Sequence, residues 1–400
     1  MTVVKCEMGF SGPGVDESFK LDSATRGVLG TARLGPFDAI VDLSDRVRSL
    51  TVNRGKSDLT EPVQVGRAQV VLDNRDGALD PQNEASVLYP GVQPRRSVRL
   101  YGDDEPVFFG FVESIELDYS LDGDATVVVS AQDGLSRLGI AGIPSAGLAV
   151  SEELSGARVS SVLGSNANYW TAGTSISAGD SLMAAGTAEG NVLQYLRQVE
   201  RSEGGLLFAS RDGDLVFRNR NSVAENPSAL TLSDNGTGVA YEEIGRLSGA
   251  EDLFNFISAN VAGTAVSAND EDSQESFGVR ELDLGDLLLT STAIGQDRVD
   301  YELVRRKDQL PSVRSARVSQ QRQASTAVIG VELGDRVTVV FTPPGVGELT
   351  QDSRILALGH SWSPSADWRT TMAMRSLEAD PFFVLDDPTL GRLGTGRLAF

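Results

Sequence analysis

One histidine and one cysteine, His360 and Cys6, set the first limits on the chemistry available to this chain. A Ser-His-Asp hydrolase needs a histidine base, and a cysteine peptidase needs a histidine beside its thiol. A two-histidine zinc site needs a second ring. His360 sits in the stretch ALGHSW, in or just after an expected strand, where a structural hydrogen bond accounts for it without catalysis. A lone Cys6 excludes an internal disulfide and a Cys-rich zinc site. Carboxylates face no such shortage, with 56 acids in the chain. A glycosidase running on two of them therefore passes this filter. Its defining property is a spatial separation of roughly 5 to 9 Å, which a sequence does not display.

The remaining candidates each have a plainer explanation. DNRDGALDP carries Asp73, Asn74, Asp76 and Asp80, oxygen ligands at short spacing that could suit calcium. It lacks the EF-hand order and its closing Glu, and turn-forming Asp, Asn and Gly explain the same residues. SDNGTG at 233–238 reads the same way. Trp362 and Trp368 flank SPSAD and read as a core-and-rim pair rather than a sugar platform. GFSGPG at 9–14 has no Gly-Lys-Ser/Thr ending, so it is not a phosphate-binding P-loop. The residues thus nominate no catalytic, cofactor-binding or metal site.

The formal charge is −21, from 56 acids and 35 bases. A general nucleic-acid binder needs basic surface to displace counterions, so this balance argues against one. It leaves room for a protein that must avoid sticking to DNA. Arg outnumbers Lys 31 to 4, read as coding bias rather than chemistry. No apolar run reaches the roughly 18 residues of a membrane span. The opening MTVVKCEMGF lacks a secretory pattern, so synthesis in the cytoplasm is expected.

These residues must be held by a largely β scaffold. Strands are expected at 47–54, 67–73, 96–101, 107–119 and 125–131, with Ile115, Leu117 and Tyr119 alternating against Glu116 and Asp118. SLDGD at 120–124 is a hairpin turn. Several short antiparallel strands in about 100 residues suggest a small barrel or sandwich. Residues 141–180 read as a Gly/Ala/Ser-rich linker with a short helix around Val159–Leu163. Thr187 is the expected N-cap of a helix burying Val192, Leu193, Leu196 and Val199 and ending at Gly204-Gly205. GLLFASRDGDLVFRNR then forms a hairpin turning at Asp212-Gly213. Beyond it come a strand at 254–263, a solvated loop at 268–276 and a helix from Asp297 to about Gln309. Strands follow at 313–320, 335–341, 354–360 and 369–377. The expected fold class is mainly β with an α+β insertion. Its units are an N-terminal arm at 1–37, a first β-barrel at 38–140 and a helix-plus-hairpin domain at 141–237. A second β-barrel with an embedded helix covers 238–380, and an extended C-terminal arm covers 381–400.

GVLGTARLG at 27–35 returns near the other end as GRLGTGRLA at 391–399, identical at six of nine positions. Its glycines make it a poor helix and a weak strand. Leu29, Arg33 and Leu34 match Leu393, Arg397 and Leu398.

Motif order, more than any single motif, carries a resemblance. DRVRSLTVNRGKSD, GRAQVVLDNRDGALDP, YPGVQPRRSVRLYG, FFGFVESIELDY and AQDGLSRLG follow one another in the first half. VLQYLRQVERSEGGLLFASRDGDLVFRNR, NFISAN, LGDRVTVVF and GHSWSPSADWRTTMAMRSLE follow in the second. In this order they resemble the minor tail proteins, or tail-tip (baseplate) hub proteins, of long-tailed actinobacterial phages. The resemblance covers most of the chain. It implies two similar β-barrels per chain in a ring-forming trimer, facing a tail tube or distal tail ring protein and contacting other tip proteins. DNA would pass through without specific binding, and the protein would reside at the tail tip of the virion. It implies no enzyme and no cofactor. It also suggests that Leu29, Arg33, Leu34, Leu393, Arg397 and Leu398 mark two arms docking on equivalent surfaces. The competing expectations are a tail protein that binds host cell-surface carbohydrate, and a carboxylate-based cell-wall glycosidase.

Overall fold

Period-2 alternation starts earlier than expected. In VKCEMGF the odd partners of the pleat, Val4, Cys6, Met8 and Phe10, are all buried, so residues 4–10 form a core strand rather than part of an arm. The computed structural model describes residues 2–10, 39–56, 61–222, 227–308, 311–323 and 325–377. The paired segments at 27–35 and 391–399, with Leu29, Arg33, Leu34, Leu393, Arg397 and Leu398, lie outside the described residues.

The first β region comprises β1 (Val4–Phe10), β2 (Ala39–Asp42), β3 (Val47–Gly55), β4 (Gln64–Asp73), β5 (Ser97–Gly102), β6 (Glu105–Tyr119) and β7 (Ala125–Gln132). All pair antiparallel, in the order β3-β4-β7-β6-β5-β1-β2. Their inward faces make one core that includes Leu50, Val70, Leu100, Phe108 and Val127.

The middle unit follows: α1 (Leu135–Ile140), β8 (Leu148–Val150), β9 (Glu153–Leu154), α2 (Ser155–Gly164), β10 (Thr174–Ile176), β11 (Leu182–Met183), β12 (Gly186–Ala188), α3 (Val192–Glu203), β13 (Leu206–Ala209) and β14 (Leu215–Arg218). The helix and hairpin form as the residues dictate, and Leu196, Val199, Leu207 and Phe217 share a core. The cap of α3 is Asn191, whose side chain accepts from the Gln194 N–H at 3.1 Å; Thr187 lies in β12 instead. The Asn carbonyl satisfies a first-turn donor that a Thr four residues upstream cannot reach. Gly204 ends α3 in the left-handed region at φ 74°.

The last part holds β15 (Leu230–Ser233), β16 (Glu243–Leu247), β17 (Phe256–Val261), β18 (Thr264–Asn269), α4 (Glu271–Phe277), β19 (Glu281–Leu287), α5 (Thr292–Arg306), β20 (Ser312–Ser319), α6 (Thr326–Ile329), β21 (Arg336–Phe341), β22 (Leu349–Ser363) and β23 (Asp367–Ser376). Three expectations change here. The acidic stretch at 268–276 is not a loop: Ala268 and Asn269 finish β18, and Asp270 caps α4 by accepting from the Ser273 N–H at 2.9 Å. Acids in a first helical turn suit the helix dipole, and of α4 only Ser273 is buried, so its polar composition still fits. The next helix starts five residues before Asp297, capped by Ser291. It is also not embedded in the second β region. It packs on the three-stranded sheet β18-β17-β19 around a separate core of Ile257, Val261, Leu287 and Val299.

The second β region begins before residue 238, because β15 pairs parallel with β21. It joins the first through one strand. The first half of β22 pairs with β21 and its second half with β3, while β23 lines its other edge from Ser353 to Ser363. At about 3.3 Å per residue, a 15-residue strand spans roughly 50 Å, long enough to serve two cores. Ile355 and Leu358 lie in the second core, whereas Trp368, at the turn end of the β22–β23 hairpin, is buried in the first. Among the described residues the result is one 13-stranded sheet running through both regions.

Candidate functional site

His360 faces the interior at the seam between the two regions, 2% exposed. Its Nδ1 is 3.1 Å from Thr370 Oγ1, and its ring lies 5.5 Å from that of Trp368. Burial first, then the guanidinium groups of Arg54 and Arg211, push its pKa down to about 3, so the ring is neutral. It is a core histidine in a strand. Cys6 is likewise fully buried, and desolvation raises its thiol to about 12.

The acidic turn is spent on ion pairs. Asp73 accepts from Arg48 at 3.0 Å and Arg75 at 2.7 Å, and Asp76 from Arg46 at 2.6 Å. Tyr119 donates to Asp80 at 2.7 Å, and the buried Asn74 Oδ1 accepts from the Leu79 N–H. Arg48 also reaches Asp124 at 2.7 Å, so these charges tie the 73–80 turn to β3 and to the β6–β7 turn. At 233–238, Ser233 Oγ accepts from the Gly238 N–H, and Asn235 bonds Thr237 and Glu348. Both segments are turns. Among the described residues no group of three His, Cys, Asp or Glu is placed to hold a metal. Trp368 is fully buried and pairs across the hairpin with Trp362, which is half-buried against the same core, as a core-and-rim pair requires.

The concave feature with concentrated charge was not anticipated. A cavity of about 340 Å³ lies where α3, α5, β19 and the β22–β23 pair converge. Helical spacing builds one wall: Arg298, Glu302, Arg305 and Arg306 fall at i, i+4, i+7 and i+8, on one face of α5. The end of α3 supplies Arg197, Glu200 and Arg201. Lys56, just after β3, and Arg354 and Arg375 from the β22–β23 pair join them, as do Glu61 and Asp283. Eight bases thus meet four acids in a protein whose overall charge is strongly negative.

Glu302 is the hub of this wall. It accepts from Arg298 at 2.9 Å and from Arg306 at 2.7 Å. Burial alone would raise its pKa, but Arg298 and Arg306, helped by Arg305 and Arg375, outweigh it and hold the carboxyl well below its ordinary value. Glu200 pairs with Arg197 at 2.7 Å and accepts from the Leu207 N–H. Desolvation, with Arg354 and Arg197 acting against Glu200, brings Lys56 down to about 8. Arg306 Nη1 is buried without a hydrogen-bond partner. Such a site attracts carboxylate or phosphate oxygens. The signal was present in DRVDYELVRRK, where Arg298, Arg305 and Arg306 share a helical face, but Arg354 and Arg375 join them only through the fold.

No family model matches the sequence, and no curated protein matches it. Solved structures do match. A tail protein from Neisseria meningitidis superposes with a TM-score of 0.59 at 13% identity, covering 93% of this chain and 96% of that one. The 43 kDa tail protein of prophage MuSo2 from Shewanella oneidensis gives 0.57 at 14% identity, covering 85% and 94%. A prophage tail protein from Listeria monocytogenes gives 0.51 at 13% identity, covering 84% and 90%. The chain therefore has the fold of phage tail proteins over most of its length. Among the described residues no helix is long and apolar enough to cross a membrane.

Proposed function

We propose that this chain is a structural component of a phage tail, acting at the tail tip as a baseplate hub. In this reading it forms a ring, as a trimer, joins the tail tube or distal tail ring protein to other tip proteins, and lets DNA pass without binding it. The observation that carries the reading is the near end-to-end likeness to three phage tail proteins. The continuous sheet supports it, since a load-transmitting ring gains from two β regions that share strands. The rival carbohydrate-binding and glycosidase readings gain no support from the geometry: Trp368 is buried in the core, Asp73 and Asp76 are committed to arginines, and Asp80 accepts from Tyr119. The role is non-enzymatic.

The segments around Leu29, Arg33, Leu34, Leu393, Arg397 and Leu398 act in this reading as docking arms for equivalent surfaces on neighbouring subunits or tip proteins. Light scattering and negative-stain imaging test the hub. A stable trimer, or rings in the images, is expected; a monomer with measurable affinity for cell-wall sugar overturns the reading. Deleting 386–400 tests the arms: a folded core with weakened tip assembly is expected, and unimpaired assembly refutes the docking role.

A further inference from the structure

The four acids of the basic cavity are already engaged. Glu302 accepts from Arg298 and from Arg306 Nε, and Glu200 from Arg197 and the Leu207 N–H. Asp283 accepts from the Gly285 N–H at 2.8 Å, and Glu61 from Gln64 at 3.2 Å. Some of the bases are engaged as well. Arg305 donates to the Tyr301 hydroxyl and Arg375 to the Arg305 carbonyl, and they act on the cavity through their charge.

Lys56 and Arg201 differ from these. Both line the cavity, and among the described residues neither the Lys56 ammonium nor the Arg201 guanidinium has a hydrogen-bond or ion-pair partner. Lys56 is also partly buried, and desolvation outweighs the attraction of Glu200 and Glu302. Independently, Arg306 is 6% exposed and its Nη1, at the same wall, has no hydrogen-bond partner. A buried guanidinium donor left unpaired is costly. One ammonium and two guanidinium groups offer more donors than a carboxylate can satisfy. A phosphate brings close to two negative charges and three strongly accepting oxygens. The volume of about 340 Å³ lies at the lower end of small-molecule pockets, and Leu282, Leu284 and Leu356 add apolar wall beside the charges.

We propose that this cavity is a phosphate site, which binds the dianionic phosphoryl group of a small molecule through Lys56, Arg201 and Arg306. Its walls come from α3, from α5 with β19, and from the β22–β23 pair, so a bound phosphate ties the middle unit, the inserted unit and the shared sheet together. The site does not depend on the hub reading.

Isothermal titration calorimetry on the full chain tests this, with inorganic phosphate and phenyl phosphate as probes and chloride and succinate as controls at matched ionic strength. Saturable one-to-one binding of phosphate is expected, at least tenfold tighter than that of succinate. Phenyl phosphate binding tenfold tighter still assigns the site to phosphomonoesters; equal or weaker binding assigns it to the free ion. Lys56→Gln and Arg201→Gln should each weaken phosphate binding at least tenfold while keeping the wild-type circular dichroism, since neither touches the Glu302 pairs. Arg306→Lys, which keeps a cation beside Glu302 but removes the guanidinium fork, should also weaken it. No saturable binding up to about 10 mM phosphate overturns the proposal. So does binding that succinate or chloride matches, which would be general attraction to positive charge, or binding that Lys56→Gln and Arg201→Gln leave unchanged.

Discussion

Acid should destabilise this protein through one ring, and because the chain contains a single histidine the effect can be isolated. His360 has an ordinary value of 6.5, which applies when the chain is unfolded, and about 3 when folded. The folded state therefore binds the proton more weakly. The stability tied to the neutral ring is complete above pH 6.5 and drains away as pH falls from there toward 3. Each pH unit in that window is worth about 1.4 kcal/mol, so from pH 7.5 to 4.5 the loss is roughly 2–3 kcal/mol. The ring is 2% exposed, so solvent screening does little to reduce the figure. His360→Gln keeps a hydrogen-bonding side chain near Thr370 and does not titrate. Urea unfolding of both proteins at the two pH values gives a double difference from which the carboxylate contributions cancel. Wild type should lose about 2–3 kcal/mol more than the variant. A difference under about 0.5 kcal/mol, or a ring that titrates above pH 5 by NMR in histidine-labelled folded protein, would refute the argument that burial and the nearby arginines govern this site.

Three further outcomes are expected. Trp368→Ala removes a fully buried ring belonging to one β region but packed in the other, and should cost about 3–5 kcal/mol in denaturant unfolding, against about 1 kcal/mol for Ile355→Val in the second core. Gly55→Ala should fold poorly or lose well over 1 kcal/mol, because φ is +118° and a Cβ there would stand 2.3 Å from the Ala357 backbone at the β3–β22 seam; a wild-type melting temperature would contradict that geometry. Cys6, buried with its thiol near 12, should resist alkylation at pH 8 in native protein and react at once in denaturant, as mass spectrometry would show.

Much of the fold was legible because it rests on local signals. Alternation at Ile115, Leu117 and Tyr119 marked β6, and the Asp212-Gly213 turn marked the β13–β14 hairpin. Other misreadings were local as well. VKCEMGF alternates plainly but lies in a segment expected to be an arm, and Asp270 has the chemistry of a helix cap within a stretch whose acidity suggests a solvated loop. The inserted unit of β17, β18, β19 and α5 could not be separated from its surroundings, since its apolar pattern matches theirs and its boundary is a matter of which core each residue enters.

By itself, the sequence determined the β-rich class, the helix-plus-hairpin unit and the shortage of histidine and cysteine, because residue type, periodicity and turn chemistry act over a few residues. Tertiary structure decided the rest. It turned β22 into a strand shared by two cores and placed Trp368 in the farther one. It sealed His360 at the seam and gathered Lys56, Arg197, Arg306, Arg354 and Arg375 around one cavity. Those residues are up to about three hundred positions apart, and neither their mutual desolvation nor their electrostatic coupling exists until the pairing of β3 with β22 and the packing of α3 and α5 bring them together.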